Sequence, residues 1–167
     1  AALTKAELVE TLQGDGPFTV FAPTDDAFDQ LLTDLGVASL DDLTAEQLTP
    51  ILLYHVLNGK VMSTDLENGY VSTLSPGAIE QTNASLLVDA DMSMLNGSTS
   101  ITSADLSASN GVIHVIDEVL LPPNVVNIAQ NNSNFSSLVD AVVKADLVET
   151  LSGDGPFTIF APTDEAF

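Results

Sequence analysis

The chain contains no cysteine, so it forms no disulfide, no thiolate metal site and no cysteine nucleophile. It also contains no arginine, and three lysines stand against 24 acidic residues, which gives a formal net charge of −21. Because nucleic-acid binding depends on cationic side chains that neutralise phosphates, this charge argues strongly against a nucleic-acid partner. No apolar run approaches the roughly 20 residues that cross a bilayer, so direct membrane insertion is not expected either.

The excess of acidic side chains also bears on self-association and on the surroundings of the protein. Copies with this charge repel one another at low ionic strength and tolerate high salt, because salt screens the repulsion. The hydrophobic fraction of 45% is sufficient for a core, so bulk disorder is not expected. The composition therefore fits an acidic, folded protein in saline surroundings.

A long internal repeat is the most informative feature of the sequence. Residues 2–28 recur, lightly edited, as residues 141–167, at a constant offset of 139. A period of this length is typical of a whole domain and too long for a solenoid unit. We therefore expect one domain over residues 1–123 and the opening segment of a next repeat over residues 124–167. Nothing equivalent to residues 124–140 precedes the first copy, so the first domain is expected to lack its opening helix.

Helical patterns dominate the first part of the chain. Apolar spacing predicts a helix over residues 6–12, followed by a short buried strand at residues 18–21. Thr24 is predicted to cap a helix whose acidic first turn suits the helix dipole and which ends at Gly36. Because proline interrupts a helix but fits its first position, Pro50 is predicted to begin a new helix after a break.

Strand patterns dominate from residue 58 onward. Residues 86–94 alternate strictly between apolar and polar, which predicts one half-buried strand. Asn96-Gly97 predicts a hairpin turn with its return strand over residues 98–104, and residues 112–121 are the most β-prone stretch. Helices followed by mainly antiparallel strands predict an α+β fold.

Three local motifs stand in order along the chain. They are TVFAPTDDAF at residues 19–28, which recurs in the second copy, YHVL at 54–57 and NGVIHVID at 110–117. Together they resemble the fasciclin domain over residues 2–123, and residues 124–167 resemble the opening third of a second copy. The resemblance implies a compact α+β fold with helices packed on a β-sheet wedge of mainly antiparallel strands.

The resemblance also implies a general function. It implies a bacterial-type adhesion module, secreted or attached to the cell surface, that is often repeated in tandem and contacts proteins or glycans, as in a biofilm matrix. The family is not generally enzymatic, and the sequence has neither a Gly-x-Ser-x-Gly nor a His-Glu-x-x-His motif. An enzyme acting on polysaccharide would need a polar cleft with two carboxylates, and no spacing in the sequence points to one. We therefore expect no enzymatic activity.

Few residues qualify as candidate binding sites. In relatives the segment around a Tyr-His pair has been associated with partner binding, so Tyr54 and His55 are the candidates that the resemblance carries over. The competing interpretation of His55 is a buried histidine that is hydrogen-bonded to the backbone. Helix capping accounts for Thr24 and Asp25 better than a ligand site does. His114 alternates with apolar residues in a predicted strand, so a structural role is expected for it.

Calcium is the one cofactor for which the sequence leaves a case open. The run from Asp89 to Ser100 begins like a calcium-binding loop but lacks its sharp-turn glycine and its bidentate glutamate. Clustered surface carboxylates are the weak calcium candidates: Asp41, Asp42, Asp117 and Glu118. No other cofactor is expected.

Two functional hypotheses follow from these observations. In the first, the apolar residues of segment 124–140 fill a groove in the first domain, within the chain or in a neighbour, and head-to-tail exchange builds a filament; the anchor residues are Ile128, Phe135, Leu138 and Val139. Its partners are further copies or neighbouring fasciclin repeats. In the second, the chain is a monomeric cell-surface module that binds a glycan or protein receptor near Tyr54 and His55.

Overall fold

The computed structural model describes residues 2–78, 81–153 and 155–167. It separates into two compact units, Ala1–Pro122 (unit 1) and Pro123–Phe167 (unit 2), and the boundary falls between two consecutive prolines. Because proline has no backbone N–H to donate, this dipeptide continues neither a helix nor a sheet ladder. Among the described residues, no helix is long and apolar enough to cross a membrane.

Unit 1 begins with helices and continues as a sheet. Its α-helices are α1 (Ala2–Lys5), α2 (Val9–Gln13), α3 (Asp25–Leu35) and α4 (Ala45–Tyr54). Its strands are β1 (Phe18–Pro23), β2 (Val56–Asn58), β3 (Gly69–Pro76), β4 (Asn83–Asp89), β5 (Met94–Leu95), β6 (Thr99–Ala108) and β7 (Gly111–Ile116). The predicted α+β class is confirmed.

The strands of unit 1 form a closed circuit of pairings. Consecutive strands pair antiparallel from β1 to β7, and β1 pairs with β7 in parallel, from Phe18 opposite Gly111 to Pro23 opposite Ile116. Strand β1 therefore lies between β2 and β7 and has a partner on both sides. Its Phe21 is fully buried in the main core, together with Tyr54, Leu57, Leu86, Val88, Leu95, Ile116 and Leu120.

Helix α3 forms as predicted from its two ends. The Thr24 hydroxyl accepts a hydrogen bond from the Ala27 N–H at 3.2 Å, and Gly36 closes the helix in the left-handed conformation with φ at 67°. Glycine suits this position because other residues pay a steric penalty there. The capping interpretation of Thr24 is confirmed.

Two helix predictions were wrong. Residues 6–8 of the helix expected over residues 6–12 instead form the turn between α1 and α2, where Glu7 adopts a positive φ of 57°. Helix α4, by contrast, runs through Pro50 without the predicted break. A proline inside a helix removes one hydrogen bond, and the Thr49 hydroxyl donates to the Ala45 carbonyl at 2.8 Å, which adds a local link in the same turn.

The strand predicted over residues 86–94 also divides into two. Strand β4 ends at Asp89, whose carboxylate accepts a hydrogen bond from the Met92 N–H at 3.0 Å, and Ser93 has a positive φ of 53°. A short turn therefore interrupts the alternating pattern. The predicted hairpin after it is confirmed, since Leu95 pairs with Thr99 across Asn96-Gly97.

Unit 2 is mainly helical. It contains α5 (Val125–Gln130), α6 (Ser136–Lys144) and α7 (Val148–Ser152), with 3-10 turns at Ser133–Phe135 and Asp164–Ala166. Among the described residues of these helices, only Val126 is buried. Unit 2 therefore has apolar helices but little core of its own.

The contact between β1 and β7 leaves no room for a side chain at Gly111. A Cβ atom there would lie 2.1 Å from the Phe18 carbonyl oxygen and 2.9 Å from its carbonyl carbon. Gly111→Ala should therefore push the two strands apart and lower the free energy of unfolding by about 2–3 kcal/mol. Denaturant unfolding measures this change. Gly153→Ala is the control, because its nearest atom is 3.4 Å away; equal effects of the two substitutions would contradict the expected strand contact.

Candidate functional site

Tyr54 lies at the end of α4, and its side chain is inside the core with 0% exposure. Its hydroxyl donates a hydrogen bond to the Ser85 carbonyl oxygen at 2.8 Å and accepts one from the Asn96 amide nitrogen at 3.2 Å. Burial raises the pKa of Tyr54 to about 12. The hydroxyl therefore holds α4 against the β4–β6 region as a neutral group.

His55 is also buried, with 2% exposure. The Leu120 N–H donates to its Nε2 atom at 2.9 Å, so Nε2 carries no proton and Nδ1 donates to the Ile51 carbonyl oxygen at 2.8 Å. This is the backbone-bonded arrangement given above as the competing interpretation. Because both side chains are buried, a partner at this place would contact the backbone segments that Tyr54 and His55 bind, and not the two side chains themselves. A binding role for the pair stays a prediction.

The buried His55 makes the stability of the chain depend on pH. Burial lowers the pKa of His55 from 6.5 to about 4, so the unfolded chain takes up a proton first as the pH falls. The stabilisation is complete above the unfolded pKa and is lost as the pH falls towards the folded pKa. Between pH 7 and pH 5 the free energy of unfolding should therefore drop by about 2 kcal/mol. Denaturant unfolding at the two pH values measures this drop.

The matching readout in the folded chain is the His55 ring itself. Its imidazole NMR signals should stay almost unchanged from pH 8 to pH 5 and should titrate with a midpoint near 4. A titration midpoint near 6.5 in the folded chain, or equal stability at pH 7 and pH 5, would contradict the role assigned to the buried ring.

A serine, an aspartate and a histidine lie close together elsewhere in unit 1. The Ser63 hydroxyl donates to Asp105 Oδ2 at 2.6 Å, and this bond is the main cause that lowers the pKa of Asp105. His114 is fully buried; its Nδ1 accepts from the Asp105 N–H at 3.2 Å, and Nε2 lies 2.9 Å from the Val61 carbonyl oxygen. A nucleophilic serine needs a hydrogen bond to its general base, whereas the Ser63 hydroxyl donates to Asp105 and not to His114. The arrangement therefore fits the structural role expected for His114.

The first pair of calcium candidates lies on the surface of unit 1 with different partners. Asp41 lies 3.6 Å from the Lys5 amine and is almost fully exposed. Asp42 Oδ2 accepts hydrogen bonds from the N–H groups of Ala38 and Ser39 at 3.0 and 2.9 Å. Asp42 is therefore engaged in closing the turn at Leu40–Asp42.

The second pair of calcium candidates stabilises the neighbourhood of β6. Asp117 accepts a hydrogen bond from the Ser100 N–H at 2.7 Å, and Glu118 accepts one from the Thr99 hydroxyl at 3.0 Å. Within the described part of the chain, no group of three or more acidic or histidine side chains could hold a metal ion. Weak calcium binding at the surface stays a prediction.

A long apolar groove runs along the helical side of unit 1, and we call it the unit 1 groove. Its lining includes Leu3 of α1, Leu12 of α2, Val20 of β1 and Phe28 of α3, and the buried His55 also borders it. Asp25 and Asp29 from the first turns of α3 also line it. The groove is thus apolar inside and acidic along one wall, which suits an apolar segment with little charge.

Unit 2 has an apolar hollow of its own, which we call the unit 2 hollow. It brings together the four residues that the sequence proposed as assembly anchors, Ile128, Phe135, Leu138 and Val139. Helix α6 thus faces the hollow with its apolar side, and Ile159 and Ala161 also line it. The four anchors therefore share one surface, although their role in assembly stays a prediction.

The two copies of the repeat differ sharply in burial. Phe21 is 0% exposed between β2 and β7, whereas Phe160, which occupies the same position in the second copy, is 94% exposed. Phe157, Ile159 and Phe167 are also exposed apolar side chains. Among its described residues, unit 2 contains no strand. Residues 157–162 therefore repeat the sequence of β1 almost unchanged but have no strand partners.

Asp164 is a structural residue of unit 2 that the sequence did not reveal. Its Oδ2 accepts a hydrogen bond from the Ser136 hydroxyl at 2.7 Å, and its Oδ1 accepts one from the Ser137 N–H, also at 2.7 Å. The Ser136 bond is the main cause that holds the pKa of Asp164 below its usual value. A residue 28 positions away thus caps α6, and the serine pair at the start of the helix was the only sequence signal for it.

The comparisons with known proteins place these observations in a family context. The fasciclin domain profile matches residues 1–122 and 133–167. The protein sll1483 of Synechocystis sp. is 44% identical over 123 residues, which cover 74% of this chain and 65% of that protein. Periostin of Homo sapiens is 32% identical over 169 residues, which cover 97% of this chain and 19% of periostin.

Two further comparisons extend over nearly the whole chain. The transforming growth factor-beta-induced protein ig-h3 of Oryctolagus cuniculus is 32% identical over 169 residues, which cover 100% of this chain and 24% of that protein. The FAS1 domain pair from the insect cell adhesion molecule fasciclin I matches with a TM-score of 0.58 at 17% identity, covering 98% of this chain and 58% of that one. This structural likeness shows the fold. The chain spans less than two thirds of these relatives' own lengths.

Proposed function

This chain belongs to the fasciclin domain family, and from that premise we propose that it is a non-enzymatic adhesion module of the extracellular space or cell surface. A structural neighbour at low identity is a domain pair from a protein described as a cell adhesion molecule. The relatives are longer than this chain, which supports a module that works as one part of a larger assembly. The chemistry of the Ser63, Asp105 and His114 cluster supports a structural role.

The proposed mechanism of adhesion is contact between neighbouring units through residues 124–167. The observation that carries it is the exposure of Phe160, whose first-copy counterpart Phe21 is a core residue. Full burial of a phenylalanine side chain is worth about 2–3 kcal/mol, so this surface favours a partner that covers it. The neighbour is a further copy of the chain or an adjacent fasciclin repeat.

The contact joins two different surfaces, the unit 2 segment of one molecule and unit 1 of the next. Such a heterologous contact leaves each end of the assembly open, so repeated addition gives an array or a filament. The net charge of −21 opposes this addition at low ionic strength. Since salt screens charges beyond about 8–10 Å, assembly should grow with ionic strength.

The test is the assembly state of the intact chain, measured by light scattering and electron microscopy across salt and calcium concentrations. We expect mass to increase with protein and salt concentration and ordered arrays to appear at high salt. A chelator control separates the screening effect of salt from calcium binding at the surface carboxylates. A monomer under every condition would overturn the proposal and would favour the alternative, a single module that binds a glycan or protein receptor near Tyr54 and His55.

A further inference from the structure

The chain contains four Asn-Gly pairs, which begin at Asn58, Asn68, Asn96 and Asn110. An asparagine is most reactive before glycine, because glycine has no Cβ to shield the backbone nitrogen that attacks the side-chain amide. The amide must swing towards that nitrogen, so a side chain that is held by hydrogen bonds reacts slowly. The four pairs therefore form a series in which the folded structure sets the rate.

Two of the four side chains are held at both ends of the amide. Asn68 Oδ1 accepts a hydrogen bond from the Ala90 N–H at 2.7 Å, and its Nδ2 donates to Asp91 Oδ2, also at 2.7 Å. Asn96 Oδ1 accepts from a backbone N–H of β4 at 3.2 Å, and its Nδ2 donates to the Tyr54 hydroxyl at 3.2 Å. Each amide must lose two hydrogen bonds before it can react.

Asn110 is held in a different way. Its Nδ2 donates to the carbonyl oxygens of Leu12 at 2.8 Å and Gly14 at 3.2 Å. The attacking nitrogen of this pair belongs to Gly111, which is buried and packs tightly against the Phe18 backbone. Both the amide and the nucleophile are therefore fixed.

Asn58 differs from the other three. It ends β2 and is exposed, and within the described part of the chain its side chain makes no hydrogen bond. The Gly59 nitrogen donates to the Pro17 carbonyl oxygen at 2.8 Å, and a Cβ atom added at Gly59 would meet no atom within 4 Å. Attack on the Asn58 amide therefore requires the loss of one hydrogen bond at the end of a strand, where local opening costs little.

We propose that Asn58-Gly59 is a site of spontaneous deamidation and the fastest-reacting Asn-Gly pair of the folded chain. The Gly59 nitrogen loses its proton and forms a bond to Asn58 Cγ, while the bond from Cγ to Nδ2 breaks and ammonia leaves a cyclic imide. Water then opens the imide. Opening at Cγ gives aspartate, and opening at the backbone carbonyl carbon gives an isoaspartyl linkage, in which the main chain runs through the side-chain carbons. The reaction needs neither an oxidant nor a cofactor.

The isoaspartyl product lengthens the main chain where residues 59–61 are attached to β1. The buried Thr19 hydroxyl donates to the Gly59 carbonyl oxygen at 2.8 Å and accepts from the Val61 N–H at 2.9 Å. An additional methylene group before Gly59 displaces both partners of Thr19. The isoaspartyl form should therefore be less stable, whereas aspartate at position 58 adds the same charge to an unchanged main chain.

The experiment incubates the intact chain in warm, mildly alkaline buffer and follows each Asn-Gly pair by tryptic peptide mapping with mass spectrometry. Because the chain has no arginine, trypsin releases residues 6–60 as one peptide, in which Asn58 is the sole asparagine, and the other three pairs lie in peptide 61–144. We expect Asn58 to lose its amide about tenfold faster than any of the other three, whose amides are hydrogen-bonded. In denaturant the four pairs should react at comparable rates.

A variant that releases one of the held amides tests the reason for this order. Asp91 is exposed and accepts a hydrogen bond from the Asn68 amide, so Asp91→Ala should accelerate the reaction at Asn68 and leave Asn58 unchanged. A folded-state rate at Asn58 that does not exceed the rates at Asn68, Asn96 and Asn110 would overturn the proposal. An unchanged rate at Asn68 in Asp91→Ala would show that side-chain hydrogen bonds do not set the order.

Unfolding measurements on the aged chain test the consequence. An isoaspartate-specific methyltransferase quantifies the isoaspartyl form, and the denaturant midpoint should fall in proportion to its amount. Asn58→Asp carries the charge alone and should keep the midpoint of the fresh chain. Aged Asn58→Gln is the control for all other damage, because glutamine does not readily form the imide, and it should stay stable. Equal loss of stability in Asn58→Asp would contradict the role of the lengthened main chain.

Discussion

Phe21→Ala should lower the free energy of unfolding by about 3–5 kcal/mol, whereas Phe160→Ala should change it by less than about 0.5 kcal/mol. The two phenylalanines occupy the same position in the two copies of the repeat, yet one is 0% and the other 94% exposed. Phe21 fills a core that also includes Leu86, Ile116 and Leu120, so its truncation leaves a cavity there. Phe160 has no such surroundings in the isolated chain.

Denaturant unfolding at low salt and low protein concentration measures both changes, because the chain is then least associated. The pair is its own control, since the substitution and the local sequence are nearly the same. At high salt, Phe160→Ala should instead reduce the mass measured by light scattering. Equal destabilisation by the two substitutions would show that Phe160 is buried within a single chain. It would then not be available for the contact between neighbouring molecules.

Deletion of residues 124–167 should abolish assembly while unit 1 stays folded. Both buried clusters lie within unit 1, the main core around Phe21 and Tyr54 and a second cluster of Ala6, Leu8, Leu43, Leu48 and Leu52. The truncated chain should therefore unfold cooperatively, with a free energy of unfolding in the ordinary range of about 5–15 kcal/mol. Its mass should be that of a monomer under conditions in which the intact chain associates.

The matched control for the deletion is the double change Phe157→Ser and Phe160→Ser in the full-length chain. It keeps the length and the charge but removes two exposed apolar side chains. This variant should also assemble poorly. A truncated chain that associates as strongly as the intact one would contradict the role given to residues 124–167.

Local signals in the sequence were sufficient for the elements with short-range causes. Thr24 and Gly36 define the two ends of α3, and the Asn96-Gly97 turn defines a hairpin, because each depends on the conformation of only a few residues. The repeat at a fixed offset indicated a second domain opening without any knowledge of contacts. The family motifs then gave the α+β class and the family itself.

Features that depend on distant contacts could not be read from the sequence. The closure of the sheet requires β1 to pair in parallel with β7, which lies about ninety residues later in the chain. The break at Glu7 and the continuity through Pro50 run against local propensity, and tertiary packing overrides such propensities. The cap that Asp164 gives to α6 is likewise a long-range contact.

The candidate site shows the same division. The sequence proposed Leu138 and Val139 as apolar anchors of segment 124–140, and the structure places them in one hollow. It did not reveal that Asp164 caps α6, because a serine pair is informative only when the carboxylate opposite it is known.

The most direct test of the account is intermolecular paramagnetic relaxation enhancement in a mixture of two chains. Because the chain has no cysteine, Lys144→Cys gives a single site for a spin label at the end of α6, on molecules at natural isotope abundance. These are mixed with ¹⁵N-enriched chains that carry neither a cysteine nor a spin label, at a high salt concentration that screens the repulsion between copies. We expect signal loss at residues of the unit 1 groove such as Ala22, Phe28 and Leu32, and no loss when the nitroxide has been reduced. Signal loss confined to other surfaces, with the groove unaffected, would contradict it.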